Sequence, residues 1–236
     1  MTFTVEIIGK ERCRLGESPL WDADAGLLYW VDSMAPAIWR FDPFTGEQTS
    51  FSAPKPIGSV VLGRPGELIA GLADGAYRVQ LDTGTFTPIA LPDTLAPIER
   101  FNDGKADRQG RFVTGTMAMH NETGRIGKLY RFTAGGAWEV LPTEPIEIAN
   151  STCFSPSGDT LYFADSLRHM VWAFSYDPET GAVGEKRDFF DTSGFSSAPD
   201  GATVDAEGHI WLALVQAQKL IRISPDGRLD RGVESP

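Results

Sequence analysis

The sequence predicts an all-β protein, a β-propeller, and three observations carry that expectation. Turn residues are dense, with Gly 25 and Pro 16 among 236 residues, and they separate short apolar runs of strand length. One unit then recurs: a polar residue, a strand-like run, an Asp/Gly turn and a second strand-like run. Five such units start at 17, 59, 102, 150 and 200, at intervals of 42, 43, 48 and 50 residues. That interval is the size of a four-stranded propeller blade. A β-sandwich has evenly spaced hairpins but no reason to repeat one order of parts five times.

In chain order, the first unit runs from Glu17 through the turn at Asp22 to Gly26 into Leu27-Leu28-Tyr29-Trp30-Val31-Asp32. The second starts at Ser59 and turns at Pro65-Gly66. The third is Arg100-Phe101-Asn102-Asp103-Gly104-Lys105, with a turn from Asp107 to Gly110. The fourth starts at Asn150 and turns at Ser157-Gly158, and the fifth starts at Asp200 and turns at Glu207-Gly208. A third strand follows each unit, over 37–42, 75–79, 128–132, 170–176 and 220–223. Fourth strands are visible over 48–51, 86–89 and 138–141, and 228–236 reads as another. Segments 52–56, 90–97 and 191–199, rich in Pro and Ser, read as loops leading to the next unit start. A sixth start would fall about one interval beyond Asp200, past the last residue, so a six-bladed disc is expected with about five blades in this sequence. The whole of 1–236 is read as one propeller domain.

Bulk properties narrow the function. A net charge of −11, from 21 basic and 32 acidic residues, disfavours nucleic acid as a partner. No apolar run approaches the length of a membrane span, and the first residues lack a signal-peptide layout, so a cytoplasmic protein without a membrane partner is expected. Cys13 and Cys153 lack metal-type spacing and read as buried thiols. There is no Gly-x-Ser-x-Gly elbow, phosphate loop or His-Glu-x-x-His.

The first strand of each propeller blade lines the axis, so Glu17, Ser59, Asn102, Asn150 and Asp200 are expected to converge. Two carboxylates and two carboxamides around one point make an oxygen-rich cage suited to Ca²⁺, Mg²⁺ or Mn²⁺, with Zn²⁺ and Fe²⁺ admissible. Arg100 lies two residues before Asn102, so strand alternation points both the same way, where a guanidinium suits hydroxyl or carboxylate recognition. An ion pair with Glu99 or another surface acid is the structural alternative. Asp103 is a candidate orienting group, with a plain turn role as an equal alternative. Asp22, Asp24, Asp107, Asp159, Asp205 and Asp226 read as turn residues, and His169 and His209 as packing residues.

These residues carry a resemblance. Leu15-Gly16-Glu17-Ser18-Pro19-Leu20-Trp21, Arg100-Phe101-Asn102-Asp103-Gly104-Lys105, Gly115-Thr116-Met117 and Pro199-Asp200-Gly201 with Asp205-Ala206-Glu207-Gly208 resemble the regucalcin/gluconolactonase/luciferin-regenerating-enzyme family of six-bladed propellers. The resemblance implies hydrolysis of a sugar lactone with one divalent metal ion on the axis, Ca²⁺ or Zn²⁺ foremost. It implies Glu17, Asn150 and Asp200 as metal ligands, with Asp200 also moving the proton, and Arg100, Asn102 and His120 as substrate contacts. His120 replaces a family acid, and Ser151 stands where the family usually has glycine. A small-molecule substrate and a monomer or small homo-oligomer are expected. The competing expectations are a non-catalytic metal-binding propeller and a hydrolase of other esters or organophosphates.

Overall fold

The computed structural model describes residues 5–9, 11–119 and 125–234. They form five separate four-stranded antiparallel sheets, each a simple meander. The first contains β1 (Gly16–Asp22), β2 (Leu27–Asp32), β3 (Ala37–Phe41) and β4 (Gln48–Ser52). The second contains β5 (Ile57–Leu62), β6 (Glu67–Leu72), β7 (Gly75–Gln80) and β8 (Thr85–Ala90). The third contains β9 (Glu99–Ala106), β10 (Phe112–Ala118), β11 (Leu129–Phe132) and β12 (Trp138–Val140). The fourth contains β13 (Ala149–Phe154), β14 (Thr160–Asp165), β15 (Met170–Tyr176) and β16 (Val183–Asp191). The fifth contains β17 (Ala202–Val204), β18 (Ile210–Leu214), β19 (Lys219–Ile223) and β20 (Leu229–Glu234). β1 packs on β5, β5 on β9, β9 on β13 and β13 on β17, which is the radial order of propeller blades.

Local chemistry explains the repeat. The Asp107 carboxylate accepts the N–H of Gln109 and of Arg111, both at 2.9 Å, closing the β9–β10 turn. Gly110 completes that turn at φ 77°, a left-handed value that a Cβ would oppose. Asp205 closes the β17–β18 turn in the same manner, through the N–H groups of Glu207 and His209. Asp22 and Asp159 also accept hydrogen bonds at their turns. Cys153 is buried, but Cys13 is only half-buried. Cys13 precedes β1, so no sheet covers it on both sides, and its sulfur accepts the indole N–H of Trp30 at 3.2 Å.

Four apolar seams join the five blades. Tyr29, Val31 and Leu68 lie in the seam of blades one and two; Val61, Phe101 and Phe112 in that of two and three. Val113, Phe154 and Phe163 join three and four, and Tyr162, Ile210 and Leu212 join four and five. The outer face of blade one carries Trp21, Leu28, Trp30, Trp39 and Phe41 side by side, as the strand register shows. Trp30 and Trp39 stack at 6.2 Å, and Trp21 is 51% exposed.

The inner strands share a second irregularity. The pairing register slips between Glu17 and Leu20, between Ile57 and Ser59, opposite Thr114 to Thr116 on β9, and between Asn150 and Cys153. Each slip is a bulge at or beside the ring position, and a bulge re-aims the side chain next to it. The N–H of Asp200 donates to the Ala213 carbonyl, and the N–H of Ala213 donates to the carbonyl of Gly201, both at 3.0 Å; this irregular pairing continues the pattern in blade five.

Close approach at the axis depends on Gly58. A Cβ there would lie 2.4 Å from the Asn102 carbonyl oxygen and 2.6 Å from its Cα. Gly58→Ala is therefore expected to lower stability by about 1–3 kcal/mol through overpacking. Gly194, with no atom within 4 Å of its would-be Cβ, is the control and should tolerate alanine. Equal denaturation midpoints for the two variants would refute this account.

Candidate functional site

Four of the five ring residues meet at the axis. The Asn102 amide nitrogen donates to the carbonyl of Ala149 at 2.9 Å and lies 3.5 Å from Oδ1 of Asn150. Arg100 Nη1 donates to Asn102 Oδ1 at 2.9 Å and to the Phe101 carbonyl at 3.0 Å. The guanidinium thus shares the side of β9 that carries Asn102, as alternation predicts. It does not pair with Glu99. That carboxylate is buried, accepts the Thr116 hydroxyl and the Ala96 N–H, and lies 3.5 Å from the Lys128 ammonium. Arg100 Nε and Nη2 make no hydrogen bond among the described residues and remain available to a ligand.

Glu17 and Asp200 complete the group, and electrostatics places them together. Burial pushes the Glu17 carboxyl up to about 7; the Ser33 hydroxyl opposes this and the Asp200 charge reinforces it, while Arg100 pulls it down. Burial also raises Asp200, against the Gly201 N–H and the Asn150 amide. Asp103 is pushed up to about 6 by burial, partly offset by a 2.7 Å hydrogen bond to its Oδ2 from the Thr152 N–H. The site therefore concentrates three poorly solvated acids beside one guanidinium. Burial of like charges is unfavourable, and it is relieved by protonation or by a cation.

Ser59 does not join the group. It is fully buried, its hydroxyl lies close to Gly71 on the neighbouring strand, and it has no hydrogen-bond partner among the described residues. The bulge at Gly58 gives the axial place in blade two to main chain instead. His120 lies outside the described residues.

Ser151 sits at φ 58°, a left-handed conformation that glycine adopts without strain. Its hydroxyl offsets that strain by donating to the Asp200 carbonyl at 2.6 Å, which ties Asn150 to Asp200 through main chain. Ser18 adopts φ 54° after Glu17 and accepts the Val60 N–H at 3.1 Å.

The donor set fits a hard divalent cation: two carboxylates and one amide oxygen, with no thiol or imidazole among these residues. A second acidic cluster, Asp205, Glu207 and His209, lies at the β17–β18 turn. It already holds a cation of the chain's own: Arg222 Nη2 reaches Asp205 at 2.7 Å and Glu207 at 2.5 Å. Among the described residues the axial acids form no such ion pair; Arg100 acts on Glu17 and Lys105 on Asp103 from farther away.

Sequence reasoning missed Ser33 and Ser166. Ser33 Oγ lies 2.8 Å from Glu17 Oε2, and Ser166 Oγ accepts the Asn150 amide N–H at 2.8 Å. The signal was available: units one and four alone continue as Leu-Tyr-x-x-Asp-Ser, at Leu28 to Ser33 and Leu161 to Ser166.

Comparison with known proteins identifies the family. A family model described as the SMP-30/Gluconolactonase/LRE-like region matches residues 15–236, and the chain belongs to that family. Regucalcin of Gallus gallus is 33% identical over 226 residues, covering 94% of this chain and 75% of its own length. Pentonolactonase XacC of Haloferax volcanii is 33% identical over 224 residues, covering 95% and 75%. The crystal structure of regucalcin from Agrobacterium tumefaciens, described as a calcium-binding protein, superposes with a TM-score of 0.89 at 30% identity, covering 95% of this chain and 75% of that one.

The acid cluster sets a pH dependence. Glu17 and Asp103 have folded-state values above their ordinary 4.5 and 3.8, so folding favours their protonated forms. Their contribution is full below the ordinary values and is lost as pH rises through about 6 to 7. The thermal midpoint of chelated protein should therefore fall between about pH 5 and pH 8, and Glu17→Gln should flatten the profile. Excess divalent cation, which binds deprotonated carboxylates, should remove the decline. A midpoint that rises with pH in chelated protein would contradict the burial of these charges.

Proposed function

We propose that this member of the SMP-30/gluconolactonase/LRE-like family hydrolyses a sugar lactone to its aldonic acid, with one divalent cation held by Glu17, Asn150 and Asp200. The observation that supports this reading most is the convergence of two desolvated carboxylates and an amide oxygen beside an incompletely bonded guanidinium. The names of the Haloferax volcanii and Agrobacterium tumefaciens relatives, a pentonolactonase and a calcium-binding protein, point the same way. Ca²⁺ and Zn²⁺ both suit the donor set, and the reading is of a cytoplasmic enzyme acting on a small polar substrate.

When bound, the cation supplies Lewis-acid polarisation of the lactone carbonyl. The remaining chemistry belongs to side chains. Asp200 takes a proton from the attacking water and returns it to the ring oxygen as that bond breaks; its raised pKa suits a group that does both. Arg100 presents Nε and Nη2 to hydroxyls of the sugar, and Asn102 holds the guanidinium in place. Because Asn102 is only 4% exposed and bonded on both sides, that arrangement is set before substrate arrives.

The open side between blades five and one belongs to the same proposal. A sixth blade outside 1–236 would pack on Trp21, Trp30 and Trp39 and bring β17 and β1 into a closed ring. An intact mass of the native protein well above 25.7 kDa is expected; a mass at that value would remove the sixth blade.

Acid release from glucono-, xylono-, arabinono- and galactonolactone, before and after chelation, tests the activity. Turnover should vanish on chelation and return with one added metal. Asp200→Asn should lose at least about 100-fold in kcat while staying folded, and Arg100→Ala should chiefly raise KM. A folded, metal-loaded protein without turnover on any lactone would overturn the proposal.

A further inference from the structure

Blades one and four contain the same bracket, and among the described residues the other three blades do not. In blade one, Asp32 ends β2 and its carboxylate accepts N–H groups from Arg14 and Leu15 ahead of β1 and from Met34 and Ala35 behind it. In blade four, Asp165 ends β14 and accepts from Glu147 and Ile148 ahead of β13 and from Leu167 behind it. The next residue in each case is a buried serine. Each serine lies 16 positions after the ring residue that it touches: Ser33 after Glu17, and Ser166 after Asn150. Each also reaches a main-chain carbonyl of the following blade or its entry loop, Ile57 at 2.7 Å and Pro199 at 2.7 Å.

In blade four the hydrogen-bond arithmetic leaves one solution. The Ser166 hydroxyl has a single proton, and the Pro199 carbonyl can only accept, so the proton goes to Pro199. The oxygen must then accept from Asn150, and only Nδ2 can donate. The amide is locked with its nitrogen toward Ser166, which leaves Oδ1 as the acceptor on the side of Asn102. In blade one both neighbours of the Ser33 hydroxyl are acceptors, a carboxylate and a carbonyl, so its single proton serves one at a time; donated to Glu17 Oε2 at 2.8 Å, it fixes that arm of the carboxylate.

We propose that Ser33 and Ser166 are positioning residues, which act through Glu17 and Asn150 to fix the oxygen atoms that those two side chains offer at the propeller axis. The aspartates Asp32 and Asp165 hold the serines by clamping the chain on both sides of them. This rests on the proposed cation site, and it identifies how a chain built from repeats makes two of its five blades donors of fixed geometry. Groups that orient ligands in this way change metal affinity by about 10–100-fold when removed.

The test compares Ser166→Ala and Ser33→Ala with Ser155→Ala. Ser155 is a buried serine of blade four that bonds Asp159 and the Thr160 N–H at the distant turn and touches no ring residue. Calorimetric titration of chelated protein with Ca²⁺, and separately with Zn²⁺, should show at least a 10-fold weaker Kd in both test variants and an unchanged Kd in Ser155→Ala. All three lose a buried hydrogen bond, so all three should lower the thermal midpoint of metal-free protein; stability alone does not separate them. A Kd unchanged in Ser166→Ala, or weakened equally in Ser155→Ala, would overturn the positioning role while leaving the cation site standing. Wild-type protein that takes up neither ion would instead overturn the cation site. In that event the side-chain NH₂ resonances of Asn150 in metal-free protein still decide the amide lock. Slow exchange that is lost in Ser166→Ala supports it, and equal exchange in both proteins refutes it.

Discussion

The structure depends on bringing polar side chains from separate sheets to one axis while pairing most of their hydrogen-bonding groups. Backbone is the means. The Ser33 hydroxyl reaches the Ile57 carbonyl, Asn102 that of Ala149, Ser151 that of Asp200 and Ser166 that of Pro199. The Thr152 N–H reaches back to Asp103. Each bond joins one blade to the next, close to the axis, in a place where an unsatisfied partner costs about 1–3 kcal/mol. The apolar seams between blades supply most of the burial, and the polar bonds add directional contacts near the axis. Gly58 serves the same end by letting β5 touch the main chain of Asn102.

The electrostatics follows from that packing. Closing the inner strands removes water from Glu17, Asp103 and Asp200 while supplying one guanidinium, Arg100. A chain selected for stability alone would favour apolar side chains at such positions. The contrast with Asp205 is instructive. Burial works against that carboxylate as well, but Arg222 and the His209 N–H hold it below the usual range, and it is a finished ion pair. The axial acids are left in deficit of positive charge, and a deficit of this kind is what a ligand with positive charge can relieve.

The sequence made the blades legible because the period of each unit is long and its turn chemistry is explicit. Asp107 and Asp205 accept the N–H groups that an Asp at that turn position should accept. The ring residues were legible because equivalent positions of a repeat converge. Less regular elements escaped. β16 carries Glu185, Lys186, Arg187 and Asp188 on an outer edge, where charge protects an exposed strand from pairing, so it lacks the apolar run by which strands are recognised. Ser59 looked equivalent to Asn102 by position, but a bulge one residue earlier turned it into the sheet. Cys13 looked buried by type, but it lies ahead of the first strand. For Ser59 the cause is the bulge: one extra residue changes which side chain faces the axis, and no pattern of apolar residues reports it.

Ser33 and Ser166 escaped for a different reason. Reading each unit from its first strand fixes attention on that strand, whereas these serines lie at the end of the second, where a polar residue passes for the start of a turn. Their meaning appears only when two blades are compared with the other three. At the end of its second strand, blade two has Ala73 and blade five has Val215. Blade three instead uses Thr116 within β10, and that hydroxyl holds the buried Glu99 next to Arg100. By register Thr116 faces Phe101, as Asp32 faces Gly16 and Asp165 faces Ala149, so it matches the aspartates and not the serines. The inner end of the second strand thus serves separate uses: in blades one and four it holds a serine that steadies an oxygen donor, and in blade three it anchors the strand that carries the guanidinium. A propeller supplies equivalent positions around an axis, but a site needs unequal ones. In this chain the inequality is written in the residues that follow the second strand as much as in the ring itself.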